Sequence, residues 1–99
     1  MKQISILLFL AITVHAGAQQ TVSGRIADKK GVPVMSANIY FEGSYDGTIS
    51  DSAGRFRLTT DLSGEQMFTA SFMGYEKYSR SLRLSGNDTT ISVVLREKV

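Results

Sequence analysis

Beyond residue 20, apolar side chains recur at alternate positions: Val22 and Ile26; Ala37, Ile39 and Phe41; Phe56 and Leu58; Phe68, Ala70 and Phe72; Leu82 and Leu84; Ile91, Val93 and Leu95. A period of two turns one face of a strand toward a core and the other toward water. The interleaved residues, among them Arg55, Arg57, Ser81 and Arg83, are polar, as a wetted second face requires. No 3.6-residue stripe persists for the length of a helix. The pattern therefore predicts an all-β fold of seven short strands near 20–28, 35–43, 47–50, 55–60, 66–73, 77–84 and 90–96. That spacing suits a two-sheet sandwich, with a closed barrel as the alternative. The expected core is Ile39, Phe41, Phe56, Leu58, Phe68, Phe72, Leu82, Ile91, Val93 and Leu95.

The separators carry turn chemistry: Lys29-Lys30-Gly31-Val32-Pro33, Gly43 to Gly47, Asp51-Ser52-Ala53-Gly54, Asp61 to Gly64, Gly74-Tyr75 and Ser85-Gly86-Asn87-Asp88. In Asp51 to Gly54 an Asp at the first position accepts from the backbone two residues on, and Gly is favoured at the fourth. A tight hairpin joining 47–50 to 55–60 is expected there.

Residues 1–18 follow different rules. Lys2 precedes an apolar run from Ile4 to Val14, and Ala16-Gly17-Ala18 places small residues ahead of Gln19. This reads as a secretory signal peptide cleaved after Ala18. Crossing a membrane takes about 20 apolar residues, and this run is interrupted at Ser5 and Thr13 and followed by His15. A lipid-anchored product would need Cys at its new N-terminus, and the chain has no Cys. Residues 19–96 form the expected sandwich domain, and 97–99 begin a linker or C-terminal tail.

Composition narrows the chemistry. With 42% hydrophobic and 20% charged residues, nine Gly and one Pro, the chain is neither disordered nor of low complexity. Cleavage would remove Lys2 and His15, leaving ten Lys and Arg against nine Asp and Glu, a net charge of +1. Without a basic run beyond Lys29-Lys30 there is no electrostatic footprint for nucleic acid or an anionic membrane. The missing cysteines remove disulfides and thiol catalysis, and an exported chain without them must be held by its core alone.

The order of signals is itself informative: Val22-Ser23-Gly24-Arg25-Ile26, Asp28, Gly31-Val32-Pro33-Val34, Ala37 to Gly43, Gly47-Thr48, Asp51 to Phe56, then Ser71-Phe72-Met73-Gly74-Tyr75-Glu76. Over Thr21 to Arg96 it resembles the carboxypeptidase regulatory-like domain. The resemblance implies a seven-stranded Greek-key β-sandwich, similar to transthyretin, without catalytic or cofactor residues of its own, because the zinc machinery behind the family's name lies in a separate domain. It further implies an N-terminal periplasmic accessory domain, of the kind that follows the signal peptide of TonB-dependent outer-membrane receptors and precedes a plug and a barrel. The expected partners are that plug and barrel or another envelope protein. Nothing in these residues matches a plug or the strands of a barrel. The alternative is a free-standing periplasmic or cell-surface module that binds glycan or peptide.

Candidate chemistry is sparse. Asp46 and Asp51 flank a short strand with Glu42 nearby, but they lack the dense Asp/Asn alternation of a calcium loop and read as turn formers. A serine nucleophile finds no His or Gly-x-Ser-x-Gly elbow, and Lys77 is expected on an exposed face, where it would be a poor base. Tyr40, Tyr45, Tyr75 and Tyr78 are more informative, because tyrosines outside a core stack on sugars or anchor protein contacts. Tyr45 with Asp46 in a Gly-flanked loop, and Tyr75 after Gly74, are the candidate contact residues for a partner or glycan. Arg25, Arg55, Arg57, Arg80 and Arg83 read as a solvated face that guards sheet edges, and Asn87-Asp88-Thr89 reads as a turn rather than a glycosylation site.

Overall fold

The computed structural model describes residues 19–99; the expected signal peptide lies outside the described residues. Seven strands follow in order: β1 (Gln20–Asp28), β2 (Asn38–Phe41), β3 (Gly47–Ile49), β4 (Arg55–Thr60), β5 (Gly64–Ser71), β6 (Tyr78–Leu84) and β7 (Thr89–Leu95). They form a three-stranded sheet of order β4-β1-β7 and a four-stranded sheet of order β3-β2-β5-β6. All neighbouring pairs are antiparallel except β1 with β7, which is parallel. β1 pairs with β4 around the intervening β2–β3 hairpin, and the chain changes sheet between β1 and β2, β3 and β4, β4 and β5, and β6 and β7. The architecture is the all-β two-sheet sandwich that the alternation predicts.

The core is the sum of the inward positions. Val22, Ile26, Ile39, Phe41, Phe56, Leu58, Phe68, Ala70, Leu82, Leu84, Ile91, Val93 and Leu95 are all buried. Phe68 lies at its centre, with ring contacts to Phe41 at 5.9 Å, Phe56 at 5.8 Å and Tyr78 at 6.4 Å. Phe72 departs from expectation: β5 ends at Ser71, so Phe72 enters the following turn, stays only partly buried and packs on Tyr75 at 5.9 Å.

Two further expectations are corrected. β2 is shorter than 35–43 because polar side chains claim the backbone at both ends. Ser36 takes a left-handed φ of 66°, and the buried Ser50 donates to Val34 O at 2.6 Å while accepting from Ala37 N at 2.9 Å. At the other end Phe41 O accepts from the hydroxyl of Ser44 at 2.9 Å, which starts the next turn. The second correction concerns the expected 47–50/55–60 hairpin. The Asp51–Gly54 turn is present, with Gly54 N donating to Asp51 O at 2.8 Å and Asp51 Oδ1 accepting from Ala53 N at 2.9 Å and Arg55 N at 2.8 Å. Yet β3 and β4 belong to different sheets, so the turn carries the chain across the sandwich instead of closing a ladder.

Candidate functional site

Register places the loops at two opposite ends. β1 begins against Thr60 and Thr89 and ends against Leu95, so Gln20, the β2–β3 turn (42–46), the β4–β5 connection (61–63) and the β6–β7 connection (85–88) share one end. The other end gathers the β1–β2 loop (29–37), the β3–β4 turn (51–54), the β5–β6 turn (72–77) and the tail (96–99). Tyr45 and Asp46 therefore lie at the first end and Tyr75 at the second, separated by about 25 Å of strand. The three candidate contact residues do not form one site.

Each has a distinct environment. Tyr45, at 106% relative exposure, stands free at the tip of its turn. Asp46 is held inward: its Oδ2 accepts from Thr60 Oγ1 at 2.6 Å, its N–H donates to Ser44 Oγ at 3.1 Å, and its C=O accepts from Phe41 N at 3.3 Å. Thr60 ends β4 in the other sheet, so this carboxylate ties the two sheets together at their shared end. Tyr75 leans on Phe72 and forms an antiparallel bridge with Glu97. Glu76 N donates to Arg96 O at 2.7 Å and Lys98 N to Gly74 O at 2.9 Å, so the tail lies along the β5–β6 turn.

A shallow groove on the outer face of the four-stranded sheet joins Tyr45 to Tyr40, Asn38, Thr48, Ile49 and Ser71. Its floor depends on Gly47, the cross-strand partner of Tyr40; a Cβ there would meet Tyr40 Cβ at 3.3 Å and Ile39 O at 3.1 Å. Two tyrosine rings beside hydroxyl and amide groups offer stacking and hydrogen bonding. The grouping is absent from the linear pattern because Ile49 and Ser71 come to Asn38 only through β3–β2–β5 pairing.

The remaining polar groups are mostly engaged in the fold. Glu42 Oε2 accepts from the buried hydroxyl of Thr69 at 2.9 Å. Asp28 Oδ1 accepts from Lys30 N at 2.8 Å and Val32 N at 2.9 Å. Among the described residues no three His, Cys, Asp or Glu side chains converge as a metal site needs, and no helix is long and apolar enough to cross a membrane. Arg25 and Arg55 are cross-strand partners on the outer face of the three-stranded sheet. Arg25 bends away to donate to Gly31 O at 3.1 Å and Ala53 O at 3.3 Å.

Comparison with known proteins adds an independent line. The family model of the CarboxypepD_reg-like domain matches residues 22–99. A TonB-dependent receptor of Formosa agariphila is 35% identical over 74 residues, which span 74% of this chain and 7% of that protein. The TonB-dependent receptor SusC of Bacteroides thetaiotaomicron is 38% identical over 66 residues, 66% of this chain and 6% of that protein. Among solved structures, a mutant type II cohesin–X-dockerin complex from Acetivibrio cellulolyticus superposes with a TM-score of 0.65 at 17% identity, covering 77% of this chain and 56% of that one. At that identity the likeness speaks to the fold alone.

Proposed function

The chain belongs to the carboxypeptidase regulatory-like (CarboxypepD_reg-like) domain family, and from that membership we propose that it is an exported, non-catalytic accessory domain at the N-terminus of a TonB-dependent outer-membrane receptor. The observation that carries this reading is the pairing of identity with coverage. Some 74 residues of this chain match one receptor at 35% identity, yet they amount to only 7% of that receptor's length. A module so small beside the whole contributes positioning or protein contact, while passage through the membrane belongs to the rest of the receptor.

The sandwich suits such a task. Gln20 and Leu95 lie at opposite ends of the parallel β1–β7 pair, so the domain is a spacer set in line with the chain. The carboxylates of Asp28, Glu42, Asp46 and Asp51 serve turns and sheet contacts, which supports binding rather than bond-making. On this reading the domain works on the periplasmic side, with the plug or barrel, or another envelope protein, as partner.

An antibody against residues 19–99 tests the proposal by the mass and membrane fraction of the native product. The expected product is a large outer-membrane species that begins at Gln19. A soluble periplasmic species of about 81 residues would overturn the receptor reading in favour of a free-standing glycan- or peptide-binding module, with the Tyr40–Tyr45 groove as its site.

A further inference from the structure

Four strands form the edges of the two sheets, and three of them are guarded. β3 is three residues long. β4 carries Arg55 and Arg57, and the N–H and C=O of Arg55 are both taken by Asp51. β6 carries Arg80 and Arg83. The fourth, β7, has none of these devices: Thr89–Leu95 is seven residues without charge, Gly or Pro, in unbroken register with β1, and its Val94 is 49% exposed. An uninterrupted, uncharged edge is a template for another strand unless something covers or blunts it.

We propose that the open edge of β7 is a docking edge that takes an extended acidic segment of a partner polypeptide as an added strand, with Arg80 as its counter-charge.

Arg80 decides the chemistry of the occupant. It is the cross-strand partner of the core residue Phe68 and so projects from the inner side of β6, at the flank where β6 approaches β7. Among the described residues the one ion pair is Arg83 with Glu65 at 4.0 Å, so the exposed Arg80 faces that flank without a carboxylate. An added strand would set alternate side chains beside Thr90, Ser92 and Val94 on the solvent face, and the others toward Leu82 and Arg80. An acidic residue in the second set satisfies Arg80. A second copy of the chain does not: β7 paired with β7 across a two-fold axis brings Arg80 toward its own copy, a like-charge encounter.

The inference rests on reading the domain as a protein-contact module, but its test does not involve the receptor, so the mass of the native product and peptide binding fail separately. The full chain is titrated with a capped heptapeptide, Ser-Val-Thr-Glu-Thr-Val-Ser, and followed by amide NMR shifts and hydrogen exchange. The expected result is shifts and added protection centred on Thr89–Leu95. Replacing the peptide's Glu by Lys should weaken binding about tenfold, close to 1.4 kcal/mol, and methylating its alternate backbone amides should abolish it. The R80E chain, whose altered side chain is exposed, should keep its melting curve and prefer the Lys peptide. Absence of binding at millimolar peptide, shifts centred on β3, β4 or β6, or equal affinity for Glu and Lys peptides would overturn the proposal. Peptide-free dimerisation through β7 would overturn it in favour of a second copy.

Discussion

Gly54 and Gly31 both occupy the left-handed region, with φ of +76° and +85°, but their surroundings differ. A Cβ on Gly31 would meet nothing within 4 Å, whereas one on Gly54 would collide with Ile26 O and sit 3.2 Å from Pro33 Cβ. An alanine at either position bears the left-handed backbone strain of roughly 1–2 kcal/mol; at Gly54 the collision adds to it. Gly54→Ala should therefore lower the melting temperature by at least twice as much as Gly31→Ala, which calorimetry on the two variants would measure. The sequence marks both residues as turn glycines. The difference between them lies in Ile26 and Pro33, which reach Gly54 from β1 and its exit loop and leave no local trace at residue 54.

The elements are joined by a few polar latches, of which Asp46 with Thr60 is the clearest. Asp46 ends the β2–β3 turn of one sheet, Thr60 closes β4 of the other, and Thr60 Oγ1 in turn accepts from Leu62 N at 3.1 Å. A hydrogen bond to a charged group contributes about 1.5–3 kcal/mol when well buried, and this one is partly exposed. Asp46→Ala and Thr60→Val should each cost about 1 kcal/mol or more, and the double variant should cost less than their sum by at least about 0.5 kcal/mol. Additive losses in denaturant titrations would show that the latch does not couple the sheets. Asp46 reads in the sequence as a turn aspartate or a ligand contact, because its partner is fourteen residues away and on another sheet. The Asp51–Gly54 turn shows the same limit: its chemistry is legible in four residues, but nothing in them says whether β3 and β4 pair or part.

At the scale of the molecule, the parallel pairing of β1 with β7 sets the two termini of the sandwich apart. Nine residues of β1, at about 3.3 Å each, span roughly 26 Å, and the 96–98 backbone is fixed at the far end against Gly74 and Glu76. The chain has no cysteine, so spin labels at Gln19→Cys and Lys98→Cys would report this directly. The expected separation is about 25–30 Å, and one below about 15 Å would refute the topology. The sequence by itself determined that residues 20–96 are all-β with seven strands, which side of most of those strands is dry and where the turns fall. Those properties are local, set by side-chain alternation and by the backbone preferences of Gly, Asp and Pro. The tertiary structure alone decided which strands are neighbours, which stand at edges, β7 among them, that Tyr45 and Tyr75 lie at opposite ends, and that Phe72 sits only partly buried at the margin of the core. Strand order arises from contacts between distant residues, and a period of two is the same whatever strand lies alongside.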